Sequence, residues 1–210
     1  MTLLALELSS DRRSVAVRSA GGDITEVVHQ GTRGTPLFAM IQEALDRAGV
    51  ARGDVGALAV GLGPGSYTGI RLALSVAQGW QLAAGIPVIG VGSLEVMAAV
   101  APEDVELLLA VDSQRDEFAV VEALGRRLCG VLRLMPRRML EQAMAEGGRV
   151  AGPDLPPAWS GARGIYPTAA ALAQLAHGRP GGAAEQLTPV YLRETAFVKA
   201  GGLARAPGGD

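Results

Sequence analysis

The chain has 210 residues, 49% of them hydrophobic and 19% charged, with a formal net charge of -2. That length and apolar content suffice for a buried core in one large or two small domains, while the slight negative charge excludes a protein that holds nucleic acid by its overall field. The first residues show no positive region ahead of their apolar run, and no window reaches the apolar length of a membrane span, so a cytoplasmic protein without membrane contact is expected.

Period and punctuation predict strands over 3–8, 14–18 and 24–28, an opening meander with short polar or glycine-containing turns. Pro36 suits the first turn of a helix reaching about residue 48, with Leu37, Phe38, Ile41, Ala44, Leu45 and Ala48 at helical spacing and Gly49 as its stop. A buried-type strand over 57–62 follows, then a second helix over 68–84, a short strand over 87–91, and a helix that runs from Ser93, its expected N-cap, through residue 100. Near Ala101 and Pro102 the pattern restarts with strands over 106–111, 117–121 and 128–134. A helix near 139–146, a proline-rich loop over 153–157 and a helix over 168–177 complete the order. Cys129 stands alone in the last of those strands, so no intrachain disulfide can form and the thiol is expected to be a small buried hydrophobe. Arg126, Arg127, Arg133, Arg137 and Arg138 make the one basic concentration, expected to be solvated surface.

Setting LLALELSSDRRSVAV beside LLLAVDSQRDEFAVV places Glu7 opposite Asp112, each an acid that closes a buried strand and enters a polar turn. A repeated unit of this kind describes the duplicated, two-lobed actin-like (ASKHA, RNase H-like) α/β fold, built from βββαβα units with the second lobe reduced. Residues 1–100 are then the N-terminal lobe, 101–200 the smaller C-terminal lobe and 201–210 a frayed tail. Neither acidic turn contains glycine, so Glu7 and Asp112 mark vestigial phosphate turns that a triphosphate cannot approach closely. His29 and His177 are the only histidines and lie far apart in sequence, so no metal site is expected.

The most specific stretch is GLGPGSYTGIR between a predicted strand and helix, comprising Gly61, Gly63, Pro64, Gly65, Ser66, Tyr67, Thr68, Gly69 and Arg71. Its glycines permit unusual backbone angles and Ser66 or Thr68 can cap the helix. A helix N-terminus also presents free N–H groups to anions. Two familiar phosphate loops nevertheless fail: a dinucleotide fingerprint needs glycine where Ser66 stands, and a P-loop needs a lysine that this loop lacks. On the helix that follows, apolar residues occupy more than one stripe, which suggests burial against a partner, with complete burial in its own lobe as the alternative.

The segment from GLGPGSYTGIR through GVGSLEVMA resembles the GxGPGSFTGxRxG loop, helix, strand and Ser-Leu-Glu turn of the TsaB (YeaZ) family, with Tyr67 in place of phenylalanine. LALELSS is similar to that family's LALDTS, with Glu7 replacing aspartate, and VYLRE at 190–194 to its closing segment, whereas HQGTRGTP departs from the family's His-Ser pair. The resemblance implies a non-catalytic scaffold that pairs with the catalytic subunit TsaD, joined by the ATPase TsaE, in threonylcarbamoyl transfer to the adenosine beside the anticodon. It also implies that the first two helices pair with TsaD or with a second copy, making Leu37, Phe38, Ile41, Leu72, Val76 and Trp80 the expected interface. Contact with tRNA would come only through the complex. No cofactor of its own is implied, and a nucleotide at the partner interface stays open. The competing class is a small actin-fold ATPase or sugar-kinase-like enzyme, disfavoured by the missing glycines, while a peptidase has no Ser/His/Asp grouping to use.

Overall fold

The computed structural model describes residues 1–31 and 34–192; the expected tail over 201–210 and the end of the VYLRE match, Arg193 and Glu194, lie outside the described residues. Strands β1 (Thr2–Glu7), β2 (Arg12–Arg18) and β3 (Ile24–Gln30) form the antiparallel meander, with Glu7 opposite Ser14. Helix α1 (Leu37–Ala48) and a 3-10 turn at Arg52–Asp54 lead to β4 (Val55–Gly61), which runs parallel to β1. Helix α2 (Tyr67–Ala84) returns the chain to β5 (Val88–Val91), parallel to β4, and the sheet order is β3-β2-β1-β4-β5.

Strand β1 is covered on both faces, which is why its sequence reads as a continuous apolar run. Leu4 and Leu6 point into one cluster with Leu37, Met40, Ile41 and Leu45 of α1 and Ile70, Ala73, Leu74 and Ala77 of α2. Leu3 and Ala5 point the other way, into a cluster closed by a helix from much later in the chain. Each fully buried leucine contributes roughly 1.5–3 kcal/mol.

Helix α3 (Ser93–Val100) joins the lobes: Val96 belongs to the core of the first sheet, and Leu94, Met97 and Ala98 to that of the second. The second sheet contains β6 (Leu107–Asp112), β7 (Glu117–Leu124), β8 (Arg127–Leu128) and β9 (Arg133–Pro136), followed by α4 (Arg137–Ala145), β10 (Val150–Gly152) and β11 (Arg163–Gly164). Its order is β11-β10-β6-β7-β8, with β9 also pairing β7. In the first sheet β1 pairs antiparallel with β2 and parallel with β4, with β5 parallel beyond it; in the second β6 pairs antiparallel with β7 and parallel with β10, with β11 parallel beyond it, and β8 and β9 together take the place of β3. The strand order is thus the same in both, the duplicated actin-like architecture, and short β8, β10 and β11 make the second copy the reduced one.

Three sequence expectations shift. The strand expected over 128–134 is broken into β8 and β9, and Cys129 between them is exposed, not buried. The break falls at Gly130, where a Cβ would stand 1.8 Å from the Glu122 carboxylate, and the apolar Val131 beyond it is 79% exposed. The structure therefore predicts that one equivalent of a thiol reagent labels Cys129 in the native protein as fast as in denaturant; slow labelling that tracks unfolding would contradict this placement. Second, Gly92 is the N-cap of α3 and Ser93 its first residue, so the Ser93 hydroxyl is free for another use. Third, the segment assigned to the C-terminal lobe sends α5 (Ala169–Ala176) back to the first sheet, where Ala169, Leu172, Ala173 and Ala176 pack on Leu3, Ala5, Ala57 and Ala59. Alanines on both sides let that helix approach closely. Its N-terminus is satisfied by the Thr168 hydroxyl, by Ser14 Oγ accepting from the Ala169 N–H and by the Glu26 carboxylate accepting from Ala170.

Candidate functional site

The glycine-rich loop leaves β4 at Gly61 and presses against the turn that leaves β1 at Glu7. The Ser66 N–H donates to the Ser9 carbonyl at 2.7 Å. A Cβ on Gly65, whose φ is +151°, would lie 2.1 Å from that carbonyl oxygen, and one on Gly69 would lie 1.9 Å from the oxygen of Leu8. These contacts are backbone against backbone, so no side-chain adjustment can make room. Ser66 then caps α2, its Oγ accepting from the Gly69 N–H at 3.3 Å. The peptide bond between Gly63 and Pro64 is cis. The loop's glycines thus serve a close approach to the chain's own first turn.

Beneath the loop lies a buried polar knot. Glu7 is fully buried; its carboxylate accepts from the Ser9 N–H at 3.0 Å and from the Ser93 hydroxyl at 3.1 and 3.2 Å. Ser93 Oγ in turn accepts from the Gly63 N–H at 3.0 Å, and the Ser93 N–H donates to the Gly63 carbonyl at 2.8 Å. Burial pushes the Glu7 carboxyl above the ordinary glutamate value, opposed by its hydrogen bonds from Ser9 and Ser93. Gly61 completes the knot, since a Cβ there would stand 2.1 Å from a Glu7 carboxylate oxygen. The sequence pointed to Glu7 and to Ser93 separately; nothing in their spacing announced that they meet.

Glu7 and Asp112 occupy equivalent positions, each the last residue of the first strand of its sheet, but their surroundings differ. Asp112 is exposed and lines an interlobe cleft of about 740 Å³, whereas Glu7 does not reach that space. Ser9, Asp11, Ser66, Tyr67 and Asp154 also line the cleft. Asp154 accepts from the Asp11 N–H at 2.9 Å, and burial holds its carboxyl above the ordinary aspartate value against that bond. The volume suits a small ligand, yet the described residues lining it include three aspartates and no lysine or arginine. A polyphosphate would meet the like charge of those aspartates there. Among the described residues no group of three or more His, Cys, Asp or Glu side chains could hold a metal ion.

At the cleft's rim Tyr67 and Thr68 are exposed, Arg71 lies 4.1 Å over the Tyr67 ring, and its Nε donates to the Tyr191 hydroxyl at 3.3 Å. Tyr191, reached through the Val190 N–H donating to Leu62 at 2.8 Å, ties the closing segment to the loop.

The residues expected to meet a partner divide into three groups. Leu37 and Ile41 belong to the chain's own core and are not available, because the α1 turn that carries them faces the sheet. Leu72, Val76 and Trp80 are half-buried against the same core, with Arg52 stacked 5.9 Å over the Trp80 ring. Phe38 is 73% exposed on α1, and Leu82, which the sequence did not single out, is 82% exposed on α2. Arg71, Ser75, Gly79 and Ala83 form an exposed row along α2.

A family model described as TsaD, tRNA N6-adenosine threonylcarbamoyltransferase, matches residues 34–154. The chain is 38% identical over 122 residues to the tRNA threonylcarbamoyladenosine biosynthesis protein TsaB of Haemophilus influenzae, a match covering 56% of this chain and 51% of that protein. It is 32% identical over 149 residues to the tRNA N6-adenosine threonylcarbamoyltransferase of Geotalea uraniireducens, over 60% of this chain and 43% of that one. The chain spans about half the length of the curated relatives it matches. The solved structure of YeaZ from Pseudomonas aeruginosa shares 30% identity at a TM-score of 0.72, covering 91% of this chain and 99% of that chain. With a family model over more than half its residues and a YeaZ structure matched along nearly its whole length, the chain belongs to the TsaB (YeaZ) family, kin to the transferase TsaD.

Proposed function

We propose that the chain is a non-catalytic scaffold subunit that holds a TsaD-type catalytic subunit through the outer faces of α1 and α2, with a TsaE-type ATPase joining the assembly, in threonylcarbamoyl transfer to the adenosine beside the anticodon of tRNA. It works in the cytoplasm and has no cofactor of its own; a nucleotide held where the subunits meet is compatible with this role. In the isolated protein the same face is open to a second copy.

The observation that carries this reading is the pair of large apolar side chains, Phe38 and Leu82, standing 73% and 82% exposed on neighbouring helices whose inner faces are already packed. Similarity to proteins named TsaB supports the choice of partner. A charge at either position costs little in the free subunit, since surface changes typically fall within about 0.5 kcal/mol, but it becomes desolvated without a counter-ion in a complex. Phe38→Glu and Leu82→Glu should keep the wild-type circular dichroism melt and weaken calorimetric binding to the host's TsaD-type subunit at least tenfold. Normal binding by both variants would refute the interface, and a wild-type chain that ignores that subunit would refute the scaffold role.

The ATPase reading is favoured by the cleft of about 740 Å³ with Asp112 at its edge. Its lining of aspartates, with no lysine or arginine among the described residues, weighs against it. Steady-state ATP turnover by the pure chain that Asp112→Ala abolished would restore it.

A further inference from the structure

A second groove between the lobes has the opposite character to the acidic cleft. It measures about 390 Å³ and is lined by Arg12, Arg126, Arg163 and Tyr166 over a floor that includes Ala101 and Pro102, with no acidic residue among the described residues of its lining. We propose that this groove binds the phosphate backbone of the tRNA on which the assembly acts; the identity of the RNA rests on the scaffold reading above, the chemistry of the groove does not.

The three arginines come from distant parts of the sequence. Arg12 opens β2, Arg126 sits in the β7–β8 turn at φ +61°, and Arg163 begins β11. Only the packing of the two lobes brings them to one concavity. None is committed to a strong internal partner. Arg12 lies 6.0 Å over the Tyr166 ring. Arg126 pairs with Glu103 at 3.1 Å, but both side chains are more than half exposed, and such a pair is worth little and is easily exchanged for another anion. Arg163 is exposed and has no carboxylate partner among the described residues.

Arg12 and Arg163 bring to this groove two guanidinium groups without a carboxylate partner among the described residues, and Arg126 adds a third whose exposed pair with Glu103 an incoming anion can replace. Guanidinium forks fit phosphate oxygens two at a time. Tyr166 adds an aromatic face of the kind on which unstacked RNA bases rest. A flat lipid surface would engage a protruding basic patch more readily than one recessed between lobes. Local charge of this kind is compatible with a protein whose overall field does not attract nucleic acid, because counter-ion release depends on the phosphates actually contacted.

The test uses the full chain, alone and mixed with the TsaD-type subunit, with a tRNA transcript as the probe. Arg126→Glu combined with Arg163→Glu changes two exposed side chains, and Arg138→Glu on α4 serves as a reversal away from the groove. At about 50 mM salt the double variant should bind the transcript at least tenfold more weakly than the wild type, and the slope of log affinity against log salt should fall by about two. The Arg138→Glu chain should bind the transcript like the wild type, and the double variant should hold the TsaD-type subunit as tightly as the wild type does. Equal RNA binding by wild type and double variant, no RNA binding by the wild-type chain alone or with the subunit, or preference of the groove for phosphatidylserine vesicles over RNA would each overturn the proposal. RNA binding by the chain alone is measurable whether or not the partner binds, so this inference and the scaffold reading fail separately.

Discussion

Gly69→Ala should lower stability by more than about 3 kcal/mol, moving the thermal midpoint down by roughly 6–12 °C for a chain of this size. The added methyl would stand 1.9 Å from the Leu8 carbonyl oxygen, and both atoms belong to backbone pinned in place, one by helix α2 and the other at the exit of β1. Relief requires the helix to lift from the turn, which breaks the Ser66 to Ser9 bond and uncovers Ile70. On helix propensity alone the same substitution would be favourable by about 1 kcal/mol. Gly79→Ala, one face round on the same helix, is the control: nothing lies within 4 Å of its Cβ position, and it should stabilise by about 0.5–1 kcal/mol. Denaturant unfolding of both variants decides the matter. Similar effects at the two positions would mean that the loop does not rest on the first turn as described.

Glu7→Gln should make the protein more stable at neutral pH, and the gain should fade in acid. Burial raises the Glu7 carboxyl above its ordinary value of about 4.5, so the folded state favours the protonated form. Stability linked to such a group is fully present below the ordinary value and is lost as pH rises through the raised folded-state value. The wild type therefore carries a buried negative charge at neutral pH that the amide does not. The amide oxygen can still accept from the Ser9 N–H and the Ser93 hydroxyl, so the knot keeps its geometry. Unfolding free energies of both proteins between about pH 4 and pH 8 should differ little at the acid end and increasingly in favour of the variant toward the neutral end. A difference independent of pH, or one that favours the wild type as pH rises, would show that the hydrogen bonds outweigh desolvation.

These two positions also mark where reading the chain in order succeeds and where it stops. The meander, both long helices and the restart near residue 101 were legible because each depends on local period and punctuation: apolar runs for strands covered on both faces, helical spacing in α1, and Pro36 and Gly49 at its ends. The repeat of an acid-closed strand pointed to two equivalent sheets, and their common strand order bears this out. The loop was recognisable as special because so many glycines between a strand and a helix must have a reason.

That reason was not legible, since it lies in Leu8 and Ser9, more than fifty positions earlier in the numbering. For the same reason Ser93 read as a cap and not as the hydroxyl that joins Glu7 to Gly63. Periodicity assigns a residue to a face of its helix but does not say whether the chain itself covers that face. Leu37 and Ile41 therefore looked like Phe38, although the sheet buries the first two and leaves the third in water. Cys129 read as buried because its neighbours are apolar, yet the strand breaks after Leu128 and leaves the thiol exposed. The two chemical characters of the interlobe boundary, three aspartates in one cleft and three arginines in the other, depend on residues scattered from Asp11 to Arg163. Local sequence order is enough to choose helix or strand, because the relevant forces act within a turn or a pleat. Which charges and apolar surfaces meet is settled by long-range packing, where burial and repulsion depend on residues that no short window contains.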